Sequence, residues 1–251
     1  MLLQTKNIAA LVFGLSLCAF SHAEDPIKVT NKDYNLDADL NYLVNSTNSS
    51  TDVGNTKQNF SGHIDFKQIS GDWAQEIKAA AVNSTDGNNP VDNTESYLVS
   101  GKTMHNEDAS FYEFAKVQWE KDSSSAFKSQ TALTLGLGKK LYSDDLQFLT
   151  AEVGAGAEYD VKQAPPNYSS TNGLGTLAAH YERKITTSVS FVQDVGYDYS
   201  SISKTIRSRS AISVMLTDKL SGLVSLDYKK IHSDLGDSRT ILSAIGLKYS
   251  F

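Results

Sequence analysis

The sequence has one cysteine, four prolines and five histidines in 251 residues, and no basic excess. The cysteine, Cys18, lies in an N-terminal apolar stretch, so a chain cut after Ala23 keeps no thiol. Disulfides, thiolate metal sites and a cysteine nucleophile are thereby excluded from the mature protein. Leu17 is too large for the small residue that a lipoprotein signal would place before Cys18. A net charge of −6 and a pI near 5.4 offer no basic field for a polyanion, which argues against a nucleic-acid partner. The apolar run from Ile8 to Phe20 is thirteen residues, short of the about 20 that a membrane-spanning helix needs. With Lys6 before it and Ser21-His22-Ala23 after it, this run reads as a cleaved secretory signal peptide, residues 1–23. From Tyr34 onward no convincing helical periodicity occurs.

What is present is tyrosine, phenylalanine and alternation. There are twelve tyrosines and ten phenylalanines, and from Tyr34 onward apolar and polar residues alternate in segments of about ten residues with period two, the signature of strands. In the last segment Ile241, Ser243, Ile245, Leu247, Tyr249 and Phe251 share one face, and Leu242, Ala244, Gly246, Lys248 and Ser250 share the other. The preceding segment sets Leu220, Gly222, Val224, Leu226 and Tyr228 against Ser221, Ser225, Asp227 and Lys229. Gln193 is an exception on the apolar side of its segment, and Glu113 makes the Phe111–Glu120 segment ambiguous.

Twelve such segments are predicted. Polar and mostly longer connections, such as "NSTNSSTDVGN", "STDGNNPVD" and "VKQAPPNYSSTN", alternate with mostly shorter ones such as "SGD", "TT" and "TDK". That pattern predicts an all-β, antiparallel transmembrane β-barrel of about 12 strands with both termini periplasmic. The expected organisation is a signal peptide over 1–23, a periplasmic leader over 24–33 and the barrel over 34–251. A soluble barrel would turn its apolar face inward, whereas a membrane barrel turns it to lipid and lines the lumen with the charged face. Segment length, even strand number, the signal peptide and aromatics near strand ends favour the membrane.

No catalytic, cofactor or metal site is expected. His63 and His180 fall on the inward face, while His105 and His232 fall in connections, so no histidine faces lipid beside Ser208, Ser210 or Ser243. A lipid hydrolase lacks its serine and histidine pair on that surface. "HSD" at residues 232–234 reads as a solvated loop rather than a protease site. The four histidines after residue 23 have no metal-ligand spacing. The inward face instead carries nearly balanced charge, which fits either a salt-bridged, plugged lumen or a narrow pore. Inward glycines at 136, 138, 154 and 156 suggest free space, and Arg207 with Arg209 suggests a lumen anion site.

Gly246, Tyr249 and the terminal Phe251 resemble the C-terminal insertion signal of bacterial outer-membrane proteins, with Ala244 where a polar residue is usual. The resemblance implies the barrel-assembly machinery as a partner during biogenesis and outer-membrane lipid afterwards. Gly54-Asn55-Thr56, Trp73 and the ending "LKYSF" are similar to the layout of the salt-induced outer-membrane protein family, a bacterial β-barrel family of unknown function. That likeness implies an outer-membrane location and a link to salt or osmotic response. The function expected is a non-enzymatic envelope barrel, structural or narrow-pored. The alternatives are a barrel enzyme of lipid-hydrolase or protease type, and a soluble periplasmic barrel binding an apolar ligand.

Overall fold

A computed structural model describes residues 34–49, 52–86, 93–107, 109–123, 125–162, 168–234 and 236–251. The expected signal peptide and leader lie outside the described residues. Twelve strands account for nearly everything described: β1 Tyr34–Ser49, β2 Asp52–Ser70, β3 Trp73–Asp86, β4 Thr94–His105, β5 Phe111–Asp122, β6 Phe127–Ser143, β7 Gln147–Lys162, β8 Ser169–Lys184, β9 Val189–Ser200, β10 Ser203–Met215, β11 Leu220–Ser233 and β12 Ser238–Ser250. Each pairs antiparallel with its sequence neighbours, and β12 returns to β1, closing the barrel. The connections after β2, β4, β6, β8 and β10 share the end that carries the C-terminus, here the terminal end, and those after the odd-numbered strands share the other, here the loop end; the predicted contrast in length shrinks, because the connections after β1 and β9 are as short as that after β2.

The side-chain distribution is that of a transmembrane barrel. Leu40, Ile64, Ile77, Val99, Leu135, Val153, Leu177, Val224 and Ile245 are exposed on the outer surface. Glu120, Gln130, Thr134, Glu158, Asp160 and Thr205 are buried within. Apolar-out and polar-in is the reverse of what a soluble barrel with an apolar interior needs, so the soluble alternative fails on this inversion. Exposed aromatics ring both ends of the apolar band, with Trp73, Phe111, Tyr142 and Phe251 toward the terminal end and Phe60, Trp119, Tyr159 and Tyr199 toward the loop end. Outward lysines at these levels lie over girdle rings, Lys139 at 4.8 Å from the Phe111 centroid and Lys204 at 5.6 Å from that of Tyr199. Their stems cover apolar surface while the ammonium groups reach the wet rim.

Two exceptions in the alternation acquire a cause. Gln193 faces outward and its amide is matched locally, donating to Ser208 Oγ at 3.0 Å and accepting from Ser210 Oγ at 2.5 Å. Glu113 is outward at the terminal end, 2.9 Å from His105 Nδ1. Strand ends also run further than the alternation indicates. The "NSTNSSTDVGN" stretch is mostly strand, with Asn45 opposite Lys57, Ser46 opposite Thr56 and Thr47 opposite Asn55. Once a hairpin is paired, its backbone ladder continues beyond the apolar band, where alternation is no longer required. His105 and His232 accordingly sit within strand ends rather than in connections.

The closing seam is short, with Asp37–Tyr42 opposite Ser250–Ile245. Gly246 lies opposite Asn41 here, and a Cβ on it would collide with the Leu40 carbonyl oxygen and the Asn41 side chain. Gly156, on β7, is equally tight against the Leu133 carbonyl of β6. These two close approaches lie about half a turn of the barrel apart, where glycine lets neighbouring backbones bend together. The last residue completes the seam: Phe251 N–H donates to Leu36 O at 3.0 Å, and Lys248 pairs with Asp37 at 2.6 Å. The Tyr249 and Phe251 rings stack edge-on at 4.5 Å.

Candidate functional site

The lumen is the site, and its geometry follows from which inward side chains meet across it. Glu120 on β5 is 4% exposed. It accepts from Arg207 Nη2 of β10 at 2.6 Å and from Lys229 Nζ of β11. Lys229 also donates to Asp122 at 2.6 Å. Arg207 donates its second amino group to Asp198. β5 and β11 are six positions apart in a ring of twelve, so the Lys229 pairs cross the barrel between opposite strands.

That crossing sets a dimension. Twelve strands at about 4.8 Å spacing, tilted by about 40°, make a circular cylinder of diameter ~24 Å. An extended lysine and glutamate in contact span only ~14 Å between Cα atoms. The barrel is therefore flattened at this level, with an ion-paired layer across it. A second lateral link joins Arg209 to Asp39 at 3.0 Å, and His63 lies 2.9 Å from the same carboxylate.

Nearer the terminal end the closure is largely apolar. Ala74, Met104, Tyr112 and Phe114 form a buried cluster with Ile69 packed against it. The Phe114 ring occupies the space over Gly136 and the Tyr112 ring that over Gly138, so a Cβ at either glycine would strike the ring. Gly154 is similarly crowded by Thr134 and Thr176. The expectation that these glycines open the lumen is corrected: Gly136 and Gly138 are seats for aromatic rings, the packing by which aromatics cover strand glycines, and Gly154 and Gly156 are filled by threonine side chains and neighbouring backbone. Tyr112 donates to Glu152 at 2.6 Å, and Lys102 pairs with the same carboxylate. At the mouth, Glu107 of the β4–β5 connection bonds Lys67 at 2.9 Å and approaches Lys140 at 3.8 Å.

Arg207 and Arg209 both point inward, as alternation predicts, but they serve different groups. Arg207 belongs to the cross-barrel layer, whereas Arg209 is engaged by Asp39 and, at 3.9 Å, Asp227. Between the layer and the aromatic closure lies a cavity of about 110 Å³, lined by Phe114, Lys116, Thr134, Thr176, Asp198 and Arg207 among others. Lys116 is one of several inward lysines of the barrel. Gly246, Tyr249 and Phe251 meet at the seam and its terminal edge, away from the lumen layer.

The histidines pair with acids. His180 lies 2.7 Å from Asp194 inside the barrel, and His232 lies 2.5 Å from Asp237 at the loop end. Among the described residues no group of histidine and carboxylate ligands has the geometry to hold a metal ion. Outside the strands, the Asp144 carboxylate accepts from the backbone N–H groups of Leu146 and Gln147 at 2.8 and 2.7 Å. Those two bonds hold its pKa below the usual carboxylate value.

No curated protein matches the chain. Solved structures similar to it include the translocator domain of the autotransporter NalP from Neisseria meningitidis, at 9% identity, coverage of 89% of this chain and 90% of that one, and a TM-score of 0.49. An outer membrane channel from Pseudomonas putida F1 gives 8% identity, 87% and 94% coverage and a TM-score of 0.48. The NanC porin gives 9% identity, 86% and 97% coverage and a TM-score of 0.47. Residues 38–251 match the model of the family described as "Protein of unknown function, DUF481", and the chain belongs to that family.

Proposed function

We propose that the protein is a non-enzymatic barrel of the bacterial outer membrane whose lumen is closed by its own side chains and whose role in the envelope is structural. The observation that carries this reading is the cross-barrel layer of Glu120, Arg207, Lys229 and Asp122, backed by the Tyr112 and Phe114 closure. In this reading residues 1–23 are removed on export, 24–33 form a leader, and both termini face the periplasm. The barrel-assembly machinery would read Gly246, Tyr249 and Phe251. A role under salt or osmotic change rests on the sequence resemblance alone.

A barrel enzyme is disfavoured because the described histidines bond carboxylates, and none is hydrogen-bonded to a serine hydroxyl among the described residues. A narrow pore is the second reading, favoured by one feature: the closures are side chains, which a change of rotamer can move. Solute efflux from vesicles holding the folded barrel tests the choice. The structural reading expects efflux no faster than from protein-free vesicles, and rapid efflux through the wild-type barrel would support the pore. Recovery of the protein without detergent from the periplasmic fluid would remove the membrane reading altogether.

A further inference from the structure

We propose that the lipid-facing wall formed by β9 and β10 is the contact through which two copies of this barrel associate side by side in the membrane, with Gln193 of each copy bonding Ser208 of the other. The inference rests on the membrane reading and not on closure of the lumen.

The middle of that wall is polar where lipid chains would meet apolar groups. Gln193 on β9 lies opposite Ser210 on β10, and Ser208 is the next outward residue along β10. Exposed apolar residues bracket the three, Ile206 and Tyr199 toward the loop end and Ile212 and Val214 toward the terminal end. The cluster therefore sits within the apolar band rather than at its rim. Most of the band instead presents apolar side chains, Leu40, Ile64, Val99, Leu135 and Val153 among them. A polar group in hydrocarbon is costly unless its hydrogen bonds are made.

Inside one copy those bonds are made only in part. A glutamine amide has two N–H donors and two lone pairs on its oxygen. Gln193 donates to Ser208 Oγ at 3.0 Å and to the Asp194 carbonyl oxygen at 3.1 Å, and accepts from Ser210 Oγ at 2.5 Å. One lone pair of Gln193 Oε1 is left over. Ser208 Oγ accepts from Gln193 and donates to no described residue. An acceptor and a donor thus remain side by side on adjacent strands.

Symmetry makes this remainder complementary to itself. Two barrels inserted in the same direction and paired through one face are related by a two-fold axis along the membrane normal, which keeps every residue at its own depth. With that axis between β9 and β10, β9 of one copy faces β10 of the other. The Ser208 hydroxyl then meets Oε1 of the partner subunit's Gln193, and the bond forms twice. Lipid chains cover apolar walls as well as another protein does, so association in a bilayer depends on contacts that lipid cannot make. A partner with an apolar wall would leave both groups unmatched, whereas a second copy matches both.

Sedimentation equilibrium of the folded barrel in density-matched micelles is expected to show a reversible dimer. Gln193→Leu should weaken it about tenfold or more, because each dimer loses two bonds. Val99→Ala, on β4 across the barrel from β10, should leave association unchanged. Heat-resistant migration on gels confirms that each variant has folded. In a Cys18→Ser background, vesicles holding a mixture of Gln193→Cys and Ser208→Cys barrels should yield a cross-linked dimer on oxidation. No cross-link in the vesicles, a dimer as strong after Gln193→Leu as before, or equal weakening by Val99→Ala would each overturn the proposal. Recovery from the periplasmic fluid tests the membrane reading separately, so a barrel that needs detergent for extraction and yet gives no cross-link counts against the contact alone.

Discussion

Replacing Glu120 by alanine removes the acceptor at which two cations from the opposite wall converge. Arg207 keeps Asp198 and Lys229 keeps Asp122, so neither cation is left without a partner. The loss is nevertheless that of breaking a buried ion pair, because Glu120 is 4% exposed and its Lys229 and Arg207 partners lie mostly within the barrel. Removing one partner of such a pair costs about 3–5 kcal/mol, and the retained carboxylates place the expectation at the low end, about 3 kcal/mol. Asp122→Ala should cost less, about 1–2 kcal/mol, since Lys229 then keeps Glu120 and Arg207 is untouched. Denaturant unfolding of the vesicle-inserted barrel measures both, with Trp119 beside Glu120 on β5 as the fluorescent reporter. A Glu120→Ala loss below about 1 kcal/mol, or one no larger than that of Asp122→Ala, would refute the convergence argument.

Further predictions follow from the packing. Gly246→Val should block closure of β12 on β1 through collision with Leu40 and Asn41, lowering the yield of heat-resistant folded barrel on gel electrophoresis. Normal yield would show that the seam tolerates a side chain. Deleting Phe251 removes its bond to Leu36 and its ring contact with Tyr249, and should reduce barrel accumulation in the outer membrane; unchanged accumulation would count against the seam's role. Phe114→Ala should cost about 3–5 kcal/mol, the usual loss for a buried phenylalanine, read by the same denaturant assay. Asp144 has a depressed folded pKa, so its contribution is present above the unfolded carboxylate pKa and lost as pH falls through the folded one. The stability gap between wild type and Asp144→Ala should therefore narrow on acidification, and a gap constant down to strongly acidic pH would contradict the turn geometry.

Much of the fold was legible because a barrel wall repeats one rule. Period-two alternation is local, so Leu220–Tyr228 and Ile241–Phe251 announced both their strands and their outward faces. Strand lengths were not legible, because Asn45–Thr47 pair with Asn55–Lys57 outside the apolar band, where no alternation marks them. The interior was legible only as a list of charges. Nothing local links Lys229 to Glu120, which lie 109 residues apart, and the flattening that brings them together depends on the whole closed sheet. The glycines misled for a related reason. A missing Cβ reads as free space until the ring that fills it, Phe114 over Gly136 or Tyr112 over Gly138, is placed on the neighbouring strand. Lys116 could not be singled out from sequence, since what distinguishes it, the lack of an ion pair with any described residue, depends on the partners that Lys102, Arg207 and Lys229 find in the closed sheet.

Single-channel recording on wild-type barrel in planar bilayers, with Glu120→Ala/Lys229→Ala alongside, tests closure of the lumen most directly. The account predicts no steady conductance from the folded wild type and measurable conductance once the cross-barrel layer is removed. A stable ohmic conductance through the wild-type barrel, unaltered in the double variant, would contradict it.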